Sequence, residues 1–132
     1  ELYHEFENRF LLGQPIEAFP PELQVPLRAS EDTYGREVLI AMHGGSWANM
    51  DGNLKDFERV EDMGQIKIPV LYTCGRSDEI TPESVAYFHR STPDSEFVIF
   101  EKSAHMAHFT EMDLYLWTVA DFMQRVEARS NF

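Results

Sequence analysis

The chain has 132 residues, enough for one domain, and its 43% apolar content, with ten Phe, five Tyr and two Trp, can supply a core. Its formal charge of −12 argues against nucleic acid as a partner, because such a surface repels phosphate. No apolar run approaches the roughly 20 residues that span a bilayer, and no leader-like segment opens the sequence. With Cys74 as the single cysteine, these features predict a soluble cytoplasmic protein without a membrane partner.

The first predicted element is a short amphipathic helix. In ELYHEFENRFLL, residues 1–12, the apolar side chains of Leu2, Phe6 and Phe10 recur at helical spacing and share one face. Gly13 and a proline two residues later end the helix, because both residue types are typical of helix termination.

Prolines mark the start and the interior of the next predicted helix. Pro20 and Pro21 are expected to open a second helix, and Pro26 is expected to break or kink it. A third helix is predicted over residues 31–42. Residues 43–53, HGGSWANMDGN, concentrate Gly with Ser, Asn and Asp and predict a loop, where we place a boundary.

The pattern changes after this boundary. IKIPVLYTCG, residues 66–75, is an apolar, β-branched run typical of a strand buried on both faces of a parallel sheet. Thr81 is a candidate N-cap for a helix that runs to about residue 90. SEFVIFE, residues 95–101, predicts a second buried strand, and the apolar stripe over 111–129 predicts a long helix. The order strand, helix, strand, helix predicts an α/β fold with a parallel sheet.

Polar side chains follow both predicted strands. Asp78 lies just beyond the first strand, in CGRSDE, and His105 lies just beyond the second, in EKSAH. Because open parallel sheets build their sites at the carboxyl ends of strands, we expect the two side chains to meet. A carboxylate that accepts a hydrogen bond from one imidazole nitrogen leaves the other free to act as a base. The order Asp then His is the order that α/β-hydrolases use.

Residues 52–127 resemble the C-terminal part of the proline iminopeptidase family of α/β-hydrolases. The resemblance rests on GNLKDF, on IPVLYTCGRSDEITPE and on FEKSAHM, which are in register across the whole stretch. It implies that residues 52–132 form the C-terminal part of the α/β-hydrolase core. Residues 1–51 resemble the end of the helical cap, or lid, that this family inserts over its active site.

The resemblance also implies roles for individual residues. Asp78 would be the acid of a catalytic triad and His105 its base, and Glu79 would help to hold the free amino group of a peptide substrate. Family members carry a second amine-binding glutamate in the cap loop, and the register from GNLKD places Trp47 at that position. Trp47 is therefore a candidate substrate contact, and a generic esterase or amidase is an alternative to an aminopeptidase.

The nucleophile of such a triad is missing from the sequence, which contains no G-x-S-x-G elbow. In this fold that serine precedes the cap, so we expect it upstream and expect the 132-residue chain alone to be inactive. In the intact enzyme the serine would attack a small peptide, amide or ester, with no metal and no organic cofactor. Alternatively, the chain is a non-catalytic module that associates with a second chain through an exposed sheet edge.

Three further patterns have less specific interpretations. His108 forms an H-x-x-H motif with His105, but no third ligand stands at a recognisable spacing, so we expect it to be structural or to line a pocket. The HGG of residues 43–45 is similar to an esterase oxyanion motif, although it precedes the last two strands instead of following an early one. None of Ser46, Ser77 and Ser103 lies on a glycine-flanked elbow, so each is expected to be a loop residue.

Overall fold

The structure is a computed structural model that describes residues 5–33, 35–45 and 50–130. It divides into two compact units, one comprising Glu1–Pro15 with Val60–Phe132 and the other comprising Ile16–Arg59. The expected division into a cap and a hydrolase core at residue 51 concerns function and stays a prediction. Within the described ranges, no helix has both the length and the apolar character needed to cross a bilayer.

The unit Ile16–Arg59 is helical. Helix α1 spans Pro21–Thr33 and helix α2 spans Arg36–His43, after a 3₁₀ turn at Ile16–Ala18. Of the two outcomes expected at Pro26, a break or a kink, the break is wrong, because α1 continues through this residue. A proline inside a helix removes one intrahelical hydrogen bond, that of its own missing amide hydrogen. The predicted start of the third helix at residue 31 is also wrong, because Gly35 leaves the helical conformation at ψ 85° and α2 begins after it.

The other unit contains the predicted parallel sheet. Strand β1, Val70–Gly75, pairs in parallel with strand β2, Ser95–Phe100, and helix α3, Pro82–Ser91, connects them. The Thr81 cap is confirmed, because its Oγ1 accepts a hydrogen bond from the Ser84 amide at 3.3 Å. The α/β class with parallel strands is therefore confirmed.

The first strand is shorter than predicted. Residues 66–69 lie outside β1, which begins at Val70, where the backbone amide donates to Asp94 O at 2.9 Å. Pro69 has no amide hydrogen for such a bond, and this limits the strand to the residues that follow it.

Two helices complete this unit. A short helix α4, Ala107–Thr110, was not predicted, and the long helix α5 runs over Met112–Ser130, close to its predicted bounds. Arg125 of α5 donates to both carboxylate oxygens of Glu96 on β2, at 2.5 and 2.7 Å, so α5 is joined to the sheet. Near the N-terminus, Glu7–Leu11 forms a π-helical turn within the segment predicted as an amphipathic helix.

The core of this unit lies at the carboxyl ends of the strands. Most of β1 and β2 is only half-buried, which corrects the prediction of two fully buried strands; with two strands in the described sheet, few neighbours cover them. The buried apolar side chains include Cys74 and Phe100 at the strand ends and Ala104 and Ala107 after β2, together with Leu12 of the N-terminal segment and Val85 of α3. The loops after both strands are therefore anchored in the best-packed part of the unit.

Gly75 shows how closely these loops approach each other. A β-carbon at this position would lie 2.2 Å from the backbone oxygen of Ala104 and 2.3 Å from that of Ser103. Only a residue without a side chain allows the end of β1 and the loop after β2 to meet at this distance.

We expect Gly75→Ala to lower the free energy of unfolding by about 1 to 3 kcal/mol, because the new methyl group forces the two loops apart. Gly64→Ala is the matched control, since nothing lies within 4 Å of the β-carbon it would add. Urea unfolding followed by circular dichroism measures both variants. Equal midpoints for the two would contradict this account of the contact.

Candidate active site

Asp78 lies in the turn that begins at the last residue of β1, residues 75–80, which we call the acid turn. Its Oδ2 accepts a hydrogen bond from the Gly75 amide at 3.3 Å, and its Oδ1 accepts one from the Ile80 amide at 2.9 Å. The residue is 7% exposed. Because backbone donors of its own turn hold both oxygens, the orientation of the carboxylate is fixed.

His105 lies in the loop that follows β2, residues 101–106, which we call the base loop. Its Nδ1 is 3.0 Å from Oδ1 of Asp78, which confirms that the two side chains predicted to meet do so. A carboxylate oxygen only accepts, so we assign the proton to Nδ1 and leave Nε2 as the acceptor nitrogen. The His105 side chain is 38% exposed against 4% for Asp78. The arrangement can orient an imidazole and present it to a reactant.

Backbone bonds connect the acid turn to the base loop. The Arg76 amide donates to Phe100 O at 2.9 Å, and the Ser77 amide donates to Ser103 O at 3.1 Å. The side chains of Arg76 and Glu101 form an exposed ion pair, and this hydrogen bond lowers the pKa of Glu101 below its usual value. The backbone bonds extend the parallel pairing beyond the strands and bring the two loops together.

A polar network that was not predicted from the sequence holds the base loop in place. Oε2 of Glu111 accepts from the Lys102 amide at 2.9 Å and from the Ser103 hydroxyl at 2.6 Å. The Thr110 hydroxyl donates to Ser103 Oγ at 2.8 Å. The sequence does place a serine and an acid, Ser103 and Glu111, on either side of His105. Their pairing depends on helix α4, which was not predicted. Ser103 is buried in this network, as a structural loop residue.

The two predicted substrate contacts have different outcomes. Glu79 is exposed directly beside Asp78, and the described residues offer its carboxylate no hydrogen-bond or ion-pair partner. Trp47 lies outside the described residues, so its expected role stays a prediction.

His108 packs against aromatic rings, and Cys74 is buried. The His108 ring packs on Phe109, with centroids 4.2 Å apart, and on Tyr115 at 5.9 Å. Partial desolvation there, and secondly the nearby His105, lower the pKa of His108, although part of the side chain remains exposed. Burial, with a smaller contribution from Asp78, raises the pKa of Cys74 to about 11, so the thiol is not an activated nucleophile. In the described part of the chain, no group of three potential metal ligands occurs.

Comparison with known proteins identifies the fold around this pair. A proline iminopeptidase from Heyndrickxia coagulans is 45% identical over 90 residues, 68% of this chain and 31% of the relative. The crystal structure of a proline iminopeptidase from Mycobacterium smegmatis superposes with a TM-score of 0.80 at 22% identity, covering 96% of this chain and 41% of the other. This chain corresponds to the C-terminal part of a proline iminopeptidase-like α/β-hydrolase.

The similarity extends to hydrolases with other names. A pimeloyl-[acyl-carrier protein] methyl ester esterase from Legionella pneumophila is 32% identical over 92 residues, 69% of this chain and 32% of the relative. No protein-family model matches the chain. Because the chain spans about a third of the length of the curated relatives it matches, the α/β-hydrolase fold is established, and the activity of the whole protein is a proposal.

Proposed function

We propose that the intact protein is a serine hydrolase of the proline iminopeptidase type in which Asp78 and His105 supply the acid and the base of the triad. The observation that carries the proposal is the 3.0 Å contact between His105 Nδ1 and Asp78 Oδ1, with the acid buried and the imidazole partly exposed. The matching proline iminopeptidases support the same reaction class.

The geometry gives each side chain a distinct task. Asp78, held by the Gly75 and Ile80 amides, keeps the Nδ1–H tautomer of His105 and stabilises the imidazolium that forms when a serine is deprotonated. Nε2 of His105 takes the proton of the serine hydroxyl as the serine attacks the carbonyl carbon. It then returns that proton to the leaving amine or alcohol, and in the second half of the reaction it activates water in the same way.

The nucleophile belongs to a part of the protein outside these 132 residues. The sequence has no G-x-S-x-G, and Ser103, close to His105 along the chain, already donates its hydroxyl proton to Glu111 at 2.6 Å. We therefore propose that the 132-residue chain alone does not turn over amide or ester substrates and is not labelled by a fluorophosphonate probe.

In the intact enzyme, His105→Ala should remove most of the activity, and Asp78→Asn should lower kcat by about 10⁴-fold with KM nearly unchanged, because it favours the wrong tautomer. Steady-state kinetics on a chromogenic proline substrate measures both. Asp94→Asn, an exposed acid in the turn before β2, is the matched control and should keep wild-type kcat. Activity of Asp78→Asn within tenfold of wild type would remove Asp78 from the triad.

We further propose that Glu79 binds the free amino group of the substrate, which makes the enzyme an aminopeptidase. Its carboxylate is exposed next to the acid turn and has no partner among the described residues, so it is available for a cationic ligand. A charge-assisted hydrogen bond to an ammonium group is worth about 1.5 to 3 kcal/mol. The esterase relative favours the alternative, a neutral ester or amide substrate that does not use this contact.

Glu79→Gln should lower kcat/KM by roughly ten- to a hundredfold for substrates with a free amine and leave neutral esters nearly unchanged. Glu83→Gln, an exposed acid in the first turn of α3, serves as the matched control. Parallel assays on a prolyl amide and an acetate ester separate the two substrate classes. Equal losses on both would mean that Glu79 only supports the acid turn, and the aminopeptidase assignment would give way to a generic hydrolase.

We also propose that the 132-residue chain self-associates through the open edge of its sheet. In the described residues β1 has a neighbour on one side only, and Ile68, two residues before the strand, is 69% exposed. An unpaired apolar strand edge favours pairing with a second strand.

Light scattering over a dilution series should therefore show a mass above that of the monomer, and Ile68→Lys should shift the chain toward the monomer by charging this edge. Val25→Lys, an equally exposed apolar position in the other unit, should not. A monomeric mass for the unmodified chain at every concentration would rule out the association.

The cellular location that fits this function best is the cytoplasm. The sequence has a single cysteine, Cys74, and so no internal disulfide, which supports a reducing compartment. We infer a cytoplasmic enzyme from this thiol and from the composition of the sequence.

A further inference from the structure

A third segment contacts both the acid turn and the base loop. The backbone carbonyl of Phe10 accepts hydrogen bonds from the amide of Glu79 at 3.3 Å and from the amide of His105 at 3.2 Å. The next carbonyl, that of Leu11, accepts from the Met106 amide at 3.1 Å. One oxygen atom thus connects the residue after the acid with the base itself.

The local structure explains why these carbonyls are available. The π-helical turn Glu7–Leu11 closes with a bond from the Leu12 amide to Glu7 O at 2.8 Å, and the last carbonyls of any helix lack partners within it. Leu12 is 6% exposed and anchors the segment in the core. Gly13 then adopts a left-handed conformation, with φ +78°, and turns the chain away.

Gly13 also lies against the base loop. A β-carbon at Gly13 would be 3.3 Å from both the β-carbon and the backbone nitrogen of Ala104, the fully buried residue before His105. Gly13 and Ala104 are therefore in close contact, and the positive φ of Gly13 makes any side chain at this position unfavourable.

We propose that residues 10–13 are a positioning segment that sets the distance between Asp78 and His105 in the proposed hydrolase. The sheet pairing ends at Gly75 and Phe100, and the backbone bonds between the loops reach Ser77 and Ser103. Further out, where the reacting side chains stand, the shared Phe10 carbonyl holds the two loops together. The hydrogen bonds of the Phe10 and Leu11 carbonyls lie within this chain. Only the effect of the segment on catalysis rests on the proposed function.

Gly13→Ala tests the proposal in the 132-residue chain by hydrogen exchange and NMR. The variant should accelerate exchange of the Glu79, His105 and Met106 amides by roughly tenfold or more, since the carbonyls of Phe10 and Leu11 that accept their hydrogen bonds move away. The His105 imidazole signals should also lose the pattern of a single Nδ1–H tautomer. The Val70 amide, which donates to Asp94 O at the opposite end of the strands, should keep its protection. Gly64→Ala, which has open space around the added carbon, should change none of these signals.

The outcomes separate this inference from the proposed function. No acceleration in Gly13→Ala, or the same acceleration at Val70 as at the three amides, would overturn the positioning role whatever the enzyme does. If Gly13→Ala does not unfold cooperatively, Gly13→Asn, which tolerates a left-handed backbone better, should give the same selective acceleration, and its absence there overturns the role equally. In the intact enzyme Gly13→Ala should lower kcat at least tenfold with little change in KM.

Discussion

The carboxylate of Asp78 is buried, and a buried carboxylate without hydrogen-bond donors would strongly destabilise the fold. The acid turn supplies two amide donors, from Gly75 and Ile80, and His105 supplies another from its ring. This requirement explains several features at once. The turn must close tightly after β1, the base loop must come down onto it, and the two strands must end side by side.

The two side chains of the site differ in their exposure to solvent. Asp78 is enclosed by its own turn and cannot reorient, whereas the His105 ring is partly open to solvent. An orienting group benefits from immobility, and a proton shuttle needs access to its reactant. The Glu111 network holds the base loop through Lys102 and Ser103 and leaves the histidine ring free of further side-chain partners among those described.

Local pattern was enough to predict the elements that make the site, but not the contacts that hold it. Strand order and the residues beyond each strand predicted the meeting of Asp78 and His105 correctly. The start of β1 was misjudged because apolar character outweighed the missing amide hydrogen of Pro69. No sequence pattern marks the role of the Phe10 and Leu11 carbonyls, because every residue carries a carbonyl. The amides that donate to these two lie about 70 to 95 positions away along the chain.

The buried thiol of Cys74 gives this chain a built-in chemical reporter. It lies at the end of β1, 4% exposed, with its pKa raised to about 11, and it is the only sulfhydryl in the sequence. An alkylating reagent reacts with the thiolate, so modification at neutral pH is slow while Cys74 stays buried. The rate of alkylation therefore measures how often this buried end of β1 becomes exposed, with no label added to the protein.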